Sequence, residues 1–438
     1  MGQGAEQEAA AVFRAILGAC GPAAPDVLRE EALLCLARCA TECYEHLAPA
    51  LDPLARACFD AMEEGAPAAV SIQAMEVWAE IAEYELELCR GGGCESVTRR
   101  ALPMLLPSVL EVLVRGCRDP EDDDCQRLVE GARACVEAVS RVASDACVAP
   151  VVAFAERGFG SADSHRRRSA LLAFSAVQQG PSAQAMAPLI DAALPRLLEA
   201  LRSGPAPEAA AAAWSLGRAL DVHPAAVGDA SQAQLFELCV GRLRAEPKLA
   251  EEICYCFDGL LDQQAALLPP EMFQPVVQVL LDSSASVAED LARSAVLRSL
   301  AELVARAGDS CVQQMGAILS HLLRRVEDVQ ARQETPCGAA FDCLRALTLR
   351  LGARVEPQAE QLLRAVVRSA EHRTRAAAGG CEEEALRAAG TLAAALGPRF
   401  KDGLPLVWPS ICVAIESADE PEVCRAGLAA LRDVAAAL

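Results

Sequence analysis

The residues in this chain whose types and spacing could do chemistry are carboxylates and a few aromatics. Asp119-Pro120 leads into Glu121, Asp122, Asp123 and Asp124, an acidic turn. Two further groups, Glu76, Glu80 and Glu83, then Glu251, Glu252 and Asp258, fall in stretches that read as helices. Trp214 interrupts a run of alanines in PAPEAAAAAWSLGRAL (205–220), with Arg218 one turn on. The chemistry these offer is the holding of cations: carboxylates gathered on a turn accept charge-assisted hydrogen bonds from Lys and Arg. The plainer readings are solvated carboxylates, an acidic turn placed for a helix dipole, and packing for Trp214. Catalysis has no such support. His46, His165, His223, His321 and His372 are scattered, and no nucleophile elbow, phosphate loop or HExxH pattern occurs. We expect no enzyme, no metal and no cofactor.

The balance of charge points the same way. A formal net charge of −21 over 438 residues argues against nucleic acid, which needs a basic stripe, and suits a basic protein partner. It also keeps a large helical protein in solution. Hydrophobic residues are 53% of the chain and aromatics only 4%, which favours helices over sheets. Twenty cysteines invite a disulfide or zinc reading, but there is no amino-terminal signal sequence and no paired C-x2-C spacing. Cys35, Cys39 and Cys43 are four apart, and Cys254 and Cys256 flank Tyr255; buried thiols in a reducing cytosol are expected. Glu6 stands where a myristoylation signal wants Ser or Thr. No apolar run reads as long enough to cross a bilayer.

These residues need elements to position them. Gly21-Pro22, Gly65-Ala66-Pro67, the glycines 91–93 and Ser203-Gly204-Pro205 punctuate helical patterns. The helices fall in pairs: 5–17 with 26–47, 49–62 with 68–88, 99–116 with 127–142, 148–157 with 165–178, and 183–201 with 208–220. Then come 232–243 with 249–261, 270–281 with 287–305, 311–326 with 337–349, 357–369 with 382–396, and 400–416 with 422–438. Second helices share a pattern of small residue then large apolar one, as in Ala74…Trp78, Ala170…Phe174, Ala210…Trp214 and Ala388…Leu392, mostly 40–50 residues apart. That is the period of HEAT-type hairpins, which bury their apolar faces only by stacking. We therefore expect an all-α chain: an α-solenoid of about ten repeats in a right-handed superhelix, continuous from 1 to 438, with an acidic loop at 119–125. In such solenoids the second helices line the inside of the curve, where the carboxylates would form a negative trough for a basic helix. The helical pattern runs uncapped into residues 433–438, as in a truncated product.

Six segments stand in one family's order and spacing: SIQAMEVWAEIAEYELEL (71–88), EDDD (121–124), RRRSALLAFSAVQQGP (166–181), AAAWSLGRAL (211–220), LRAEPKLAEEICYCF (243–257) and EEEALRAAGTLAAALGPRFKDGLPLVWPSI (382–411). In these the chain resembles importin-β, the karyopherin receptor that carries the importin-α adaptor and other cargoes into the nucleus. The resemblance runs from about residue 27 to the end and covers the family's middle repeats. It implies that Glu121–Asp124 act like the family's acidic loop, which contacts basic cargo helix and the GTPase Ran, although Cys125 replaces the usual following Trp. Trp214 matches a Trp that packs on the adaptor helix from the concave wall, and Tyr255 stands where a second is usual. Tyr44 and Pro53 match positions near the pocket for phenylalanine-glycine nucleoporins between first helices. Trp78 also matches a Trp, but Met75 and Ile81 around it indicate core; Trp408 reads as packing. Arg168 fits the HEAT arginine ladder, whereas Ser169 occupies the ladder's Asp position and Pro207-Glu208-Ala209 has lost the pair.

By this resemblance the chain is a monomeric nuclear transport receptor. It binds an importin-α-like adaptor or basic localisation signal on an acidic concave face, with release by Ran-GTP. It moves between cytoplasm and nucleus, with transient contact at the pore. The family's amino-terminal repeats, with the principal Ran site, and its last repeats have no counterpart here. The alternative is a HEAT scaffold, such as a phosphatase regulatory subunit, which need not gather carboxylates and a Trp at mid-wall.

Overall fold

The computed structural model describes residues 3–42, 44, 50–90, 96–263, 270–372, 381–417 and 419–438. Cys43, His46, the expected helix end at 47 and the glycines 91–93 lie outside these. The described helices form ten pairs: α1 (Gln3–Ala19) with α2 (Asp26–Glu42), α3 (Leu51–Met62) with α4 (Ala68–Arg90), α5 (Val97–Gly116) with α6 (Asp123–Ala143), α7 (Val148–Phe159) with α8 (Ser164–Val177), and α9 (Ala183–Ser203) with α10 (Ala206–Val222). They continue as α11 (Asp229–Ala245) with α12 (Ala250–Gln263), α13 (Pro270–Ser286) with α14 (Asp290–Arg306), α15 (Val312–Ala331) with α16 (Gly338–Leu351), α17 (Ala359–His372) with α18 (Glu382–Leu396), and α19 (Leu404–Glu416) with α20 (Pro421–Ala437). No strand occurs among the described residues. The chain is all-α and HEAT-type. By packing it divides into two units, residues 1–232 and 233–438.

Within each unit the second helices form a continuous row. In the first, α2, α4, α6, α8 and α10 pack in succession; in the second, α12, α14, α16, α18 and α20 do so. The alanines explain how. Ala170, Ala173 and Ala176 of α8 and Ala209, Ala212, Ala213 and Ala219 of α10 are all buried, and short side chains let helix axes approach closely. Larger residues fill what remains: Trp78 is fully buried and stacks on Phe59, 6.2 Å between rings. Side-chain caps set several starts, among them Ser96 on the Arg99 amide at 3.0 Å and Asp122 on the Cys125 amide at 2.8 Å.

Three expectations change. Residues 123–159 are long and apolar enough to cross a membrane by length and composition. Here, however, Ser144 takes a left-handed φ of 52° and breaks them into α6 and α7. Val136, Val139 and Val151 from this stretch are buried in the first unit's core. The ladder is also kept, one residue out of the expected register. Glu208, 6% exposed at its side chain, accepts from Arg167 at 2.7 and 2.9 Å and from Ser164 Oγ at 2.9 Å, tying α10 to α8. Trp408 is 43% exposed rather than packed.

The cysteines behave as small hydrophobes, with no disulfide among the described residues. Burial pushes the thiols of Cys135 and Cys147 up to about 12, and those of Cys20 and Cys381 up to about 11.

Candidate cation-binding face

The row α4, α6, α8, α10 positions the first group of candidate residues. Trp214 on α10 is half-buried, neither sealed nor open. The Arg133 guanidinium of α6 lies 4.3 Å from the indole centroid, and that of Arg218 lies 5.7 Å from it. Both are within cation–π range. Arg218 in turn pairs with Glu137 of α6 at 3.1 Å. The Gln179 amide fits between them with its nitrogen toward Glu137 and its oxygen toward Arg218. A close approach places that amide: a Cβ on Gly180 would stand 2.0 Å from the Ser140 carbonyl oxygen, so only glycine fits the turn there. These contacts join α6 to α10 across the intervening α8. Helix axes in contact lie about 8–10 Å apart, so these long side chains span the width of α8.

Carboxylates stand on other helices of the same row. On α4, Glu76 and Glu83 are exposed and Glu80 is half-buried. Burial, then repulsion from Glu83 and Glu76, raises the Glu80 pKa above the ordinary carboxylate value. Glu83 is joined to Arg141 of α6 at 3.0 Å. Glu121, Asp122, Asp123 and Asp124 are all exposed at the start of α6. Asp122 is its N-cap, Asp124 lies 3.5 Å from Arg127, and Cys125 is half-buried behind them. Capping and cation attraction are compatible uses of one acidic turn.

The remaining candidates stand elsewhere. Tyr44 donates its hydroxyl to Glu85 at 2.5 Å and leans on Tyr84, 5.3 Å between rings. Glu85 is fully buried and also accepts from Ser96 Oγ and the Val97 amide, so this network caps α5. Pro53 borders a cavity of about 660 Å³ between α1 and α3, with Phe13, Leu17 and Ala57. In the second unit Glu251 is exposed and Glu252 and Tyr255 are half-buried on α12. Asp258 accepts from Ser299 Oγ of α14 at 2.5 Å. Burial raises its pKa to about 6, against the opposing pull of Ser299, Arg298 and Arg306.

That shift predicts a pH effect. An acid whose pKa is higher folded than unfolded weakens the fold as pH rises from about 4, its unfolded value, through about 6. Asp258→Asn keeps an acceptor for Ser299 and should stabilise the chain at pH 7 by on the order of 2 kcal/mol. The gain should vanish at pH 4 in urea unfolding.

Comparison with known proteins agrees with this architecture. Residues 234–438 match the family model described as importin subunit beta-1-like, TPR repeats. Importin subunit beta-1 of Arabidopsis thaliana is 26% identical over 94% of this chain and 52% of its own length. The structure of yeast importin-β, Kap95p, superposes with a TM-score of 0.83 at 21% identity, over 99% of this chain and 52% of that one. A Kap95:Nup1 complex gives 0.82 at 20% identity, over 99% and 52%. A structure of Kap95p, whose binding induces the switch loops of RanGDP to adopt the GTP-bound conformation, gives 0.76 at 21%, over 99% and 53%.

The chain is similar to importin subunit beta-1 in sequence and to importin-β in fold. It spans about half the length of the curated relatives it matches. Trp214 and the α4 and loop carboxylates of this importin-β-like chain lie in one unit, Tyr255 and its neighbours in the other. Sequence reasoning missed Arg133, Glu137 and Gln179. The rule that selected acids on second helices would also have selected Glu137. Nothing local marks Arg133, whose partner is 81 positions away.

Proposed function

We propose that the row of second helices in the first unit binds a cation-rich helix of a partner protein, as part of a nuclear transport receptor. The observation that carries this reading is the indole of Trp214, whose face already holds a guanidinium at 4.3 Å. It is a formed cation site on a half-buried wall, in a unit that also carries exposed carboxylates on α4 and at the start of α6, within a chain of net charge −21. Asp119–Asp124 collect the basic partner at long range, and Trp214 grips it at contact. An importin-α-like adaptor or a basic localisation signal has this chemistry, and release by Ran-GTP in the nucleus completes the cycle. The similar Kap95 structures with Nup1 and RanGDP support nucleoporin and Ran as further partners. The cavity beside Pro53, between first helices, suits an apolar nucleoporin side chain. On this reading the protein moves between cytoplasm and nucleus.

Replacing Glu121, Asp122, Asp123 and Asp124 with serine tests the electrostatic part. Serine at 122 still caps α6, so the fold is kept. Association with a basic adaptor-type peptide should slow about tenfold at low salt, with a flatter salt dependence. Stopped-flow fluorescence in a Trp408→Phe background reads Trp214 against the buried Trp78. An unchanged rate and salt slope would favour a scaffold role.

A further inference from the structure

The arginine ladder that ties α8 to α10 is broken in the second unit. Arg293 holds in α14 the place that Arg167 holds in α8. Each lies four residues past its N-cap, Glu289 and Asp163 respectively. Each donates to two carbonyls of the preceding turn: Arg293 to Val287 and Ala288 at 3.0 and 3.2 Å, Arg167 to Ser161 and Ala162 at 3.0 and 2.7 Å. Glu208, three residues past the Pro205 cap of α10, completes the first pair. Three residues past the Cys337 cap of α16 stands Ala340. Where one unit has a buried carboxylate, the other has a methyl group. Arg293 turns instead to Asp290, whose side chain is 88% exposed. One layer on the fault is mirrored: Glu384 follows the Cys381 cap by three, but Phe341 takes the arginine's place in α16.

The gap is real space. A cavity of about 540 Å³ lies among α14, α15 and α16, bordered by Arg293, Arg325, Arg332, Leu297, Val329 and Ala340. Arg325 donates to the Leu281 carbonyl and Ser284 Oγ, both at 2.9 Å, and forms no ion pair among the described residues. Burial, then Arg293, presses its pKa down, with Asp282 opposing. Burial and the nearby Arg325 and Arg324 hold His321 down as well. The acids at the cavity, Asp290 and Glu334, are exposed and already joined to Arg293 and Arg332. In a chain so acidic overall, this is a local excess of positive charge against an apolar wall.

We propose that this pocket binds the carboxylate of an acidic side chain from a partner protein, received where Glu208 sits in the first unit's ladder. Paired guanidiniums match a carboxylate in geometry and charge. A bare small anion would leave the Leu297 and Val329 wall unfilled, so the occupant is a peptide segment with an apolar residue beside its acid. This site is opposite in sign to the face around Trp214, and its test is independent of that reading.

The probe is a fluorescein-labelled peptide of four glutamates and one leucine, titrated against the full chain by anisotropy. Ala340→Glu supplies the missing carboxylate from within; it should leave the melting temperature equal or higher and weaken peptide binding about tenfold or more. Arg325→Gln should weaken binding to a similar degree, and it decides the matter if Ala340→Glu folds poorly. Arg244→Gln, outside the pocket, should bind as the parent does. Equal binding by parent, Ala340→Glu and Arg325→Gln would overturn the proposal, as would no binding by the parent. Stabilisation by inorganic phosphate without peptide binding would overturn the assigned occupant.

Discussion

Glu208→Ala lowers the unfolding free energy of the chain by about 3 kcal/mol, the low end for breaking a buried ion pair. Glu208 is nearly enclosed, and its loss strips Arg167 of two hydrogen bonds and Ser164 of one. Arg167 remains 30% exposed and keeps its two carbonyl partners, which limits the damage. Glu208→Gln should cost about half as much, because the amide still accepts from Ser164. Urea unfolding measures both. Hydrogen exchange should localise the loss to α8 and α10, and an even loss of protection throughout the chain would contradict the ladder.

Trp214→Ala is the second large effect, expected on binding rather than stability. Removing an aromatic anchor at the centre of an interface costs about 2 kcal/mol or more, roughly thirtyfold in affinity for a basic helix. Arg133→Ala should act in the opposite sense. It clears the indole face of the chain's own guanidinium, so a few-fold tighter binding is expected, visible by calorimetry. The double variant should resemble Trp214→Ala alone, since the competitor matters only while the ring is present. Weaker binding by Arg133→Ala would mean that Arg133 orients the indole instead of occupying it.

Much of this was legible because helical hairpins are local objects. Proline-glycine punctuation and the spacing of small residues located the ten pairs, and Met75 and Ile81 marked Trp78 as core. What escaped depends on pairs far apart in the chain. The Arg167–Glu208 pair was missed because the ladder shifted by one residue, and on a helix that rotates a side chain by about 100°. The Trp214 contacts were missed because Arg133 reaches the ring, and Glu137 its neighbour Arg218, from α6, two helices away in the row. Asp258 reads as a surface acid in sequence; only packing shows it held by Ser299. The apolar stretch at 123–159 misleads a hydropathy count because buried helices of a stacked core are as apolar as spanning ones.

The protonated thiols carry a practical consequence. Cys58, Cys135, Cys147, Cys254, Cys343 and Cys381 are all buried and spread from α3 to the start of α18. Alkylating reagents attack thiolates, so each can react only when its own surroundings open. The chain thus carries its own set of clocks along its length, with exposed Cys35 marking time zero. Labelling rates read by mass spectrometry would rank the hairpins by local opening free energy, without introducing a single foreign probe.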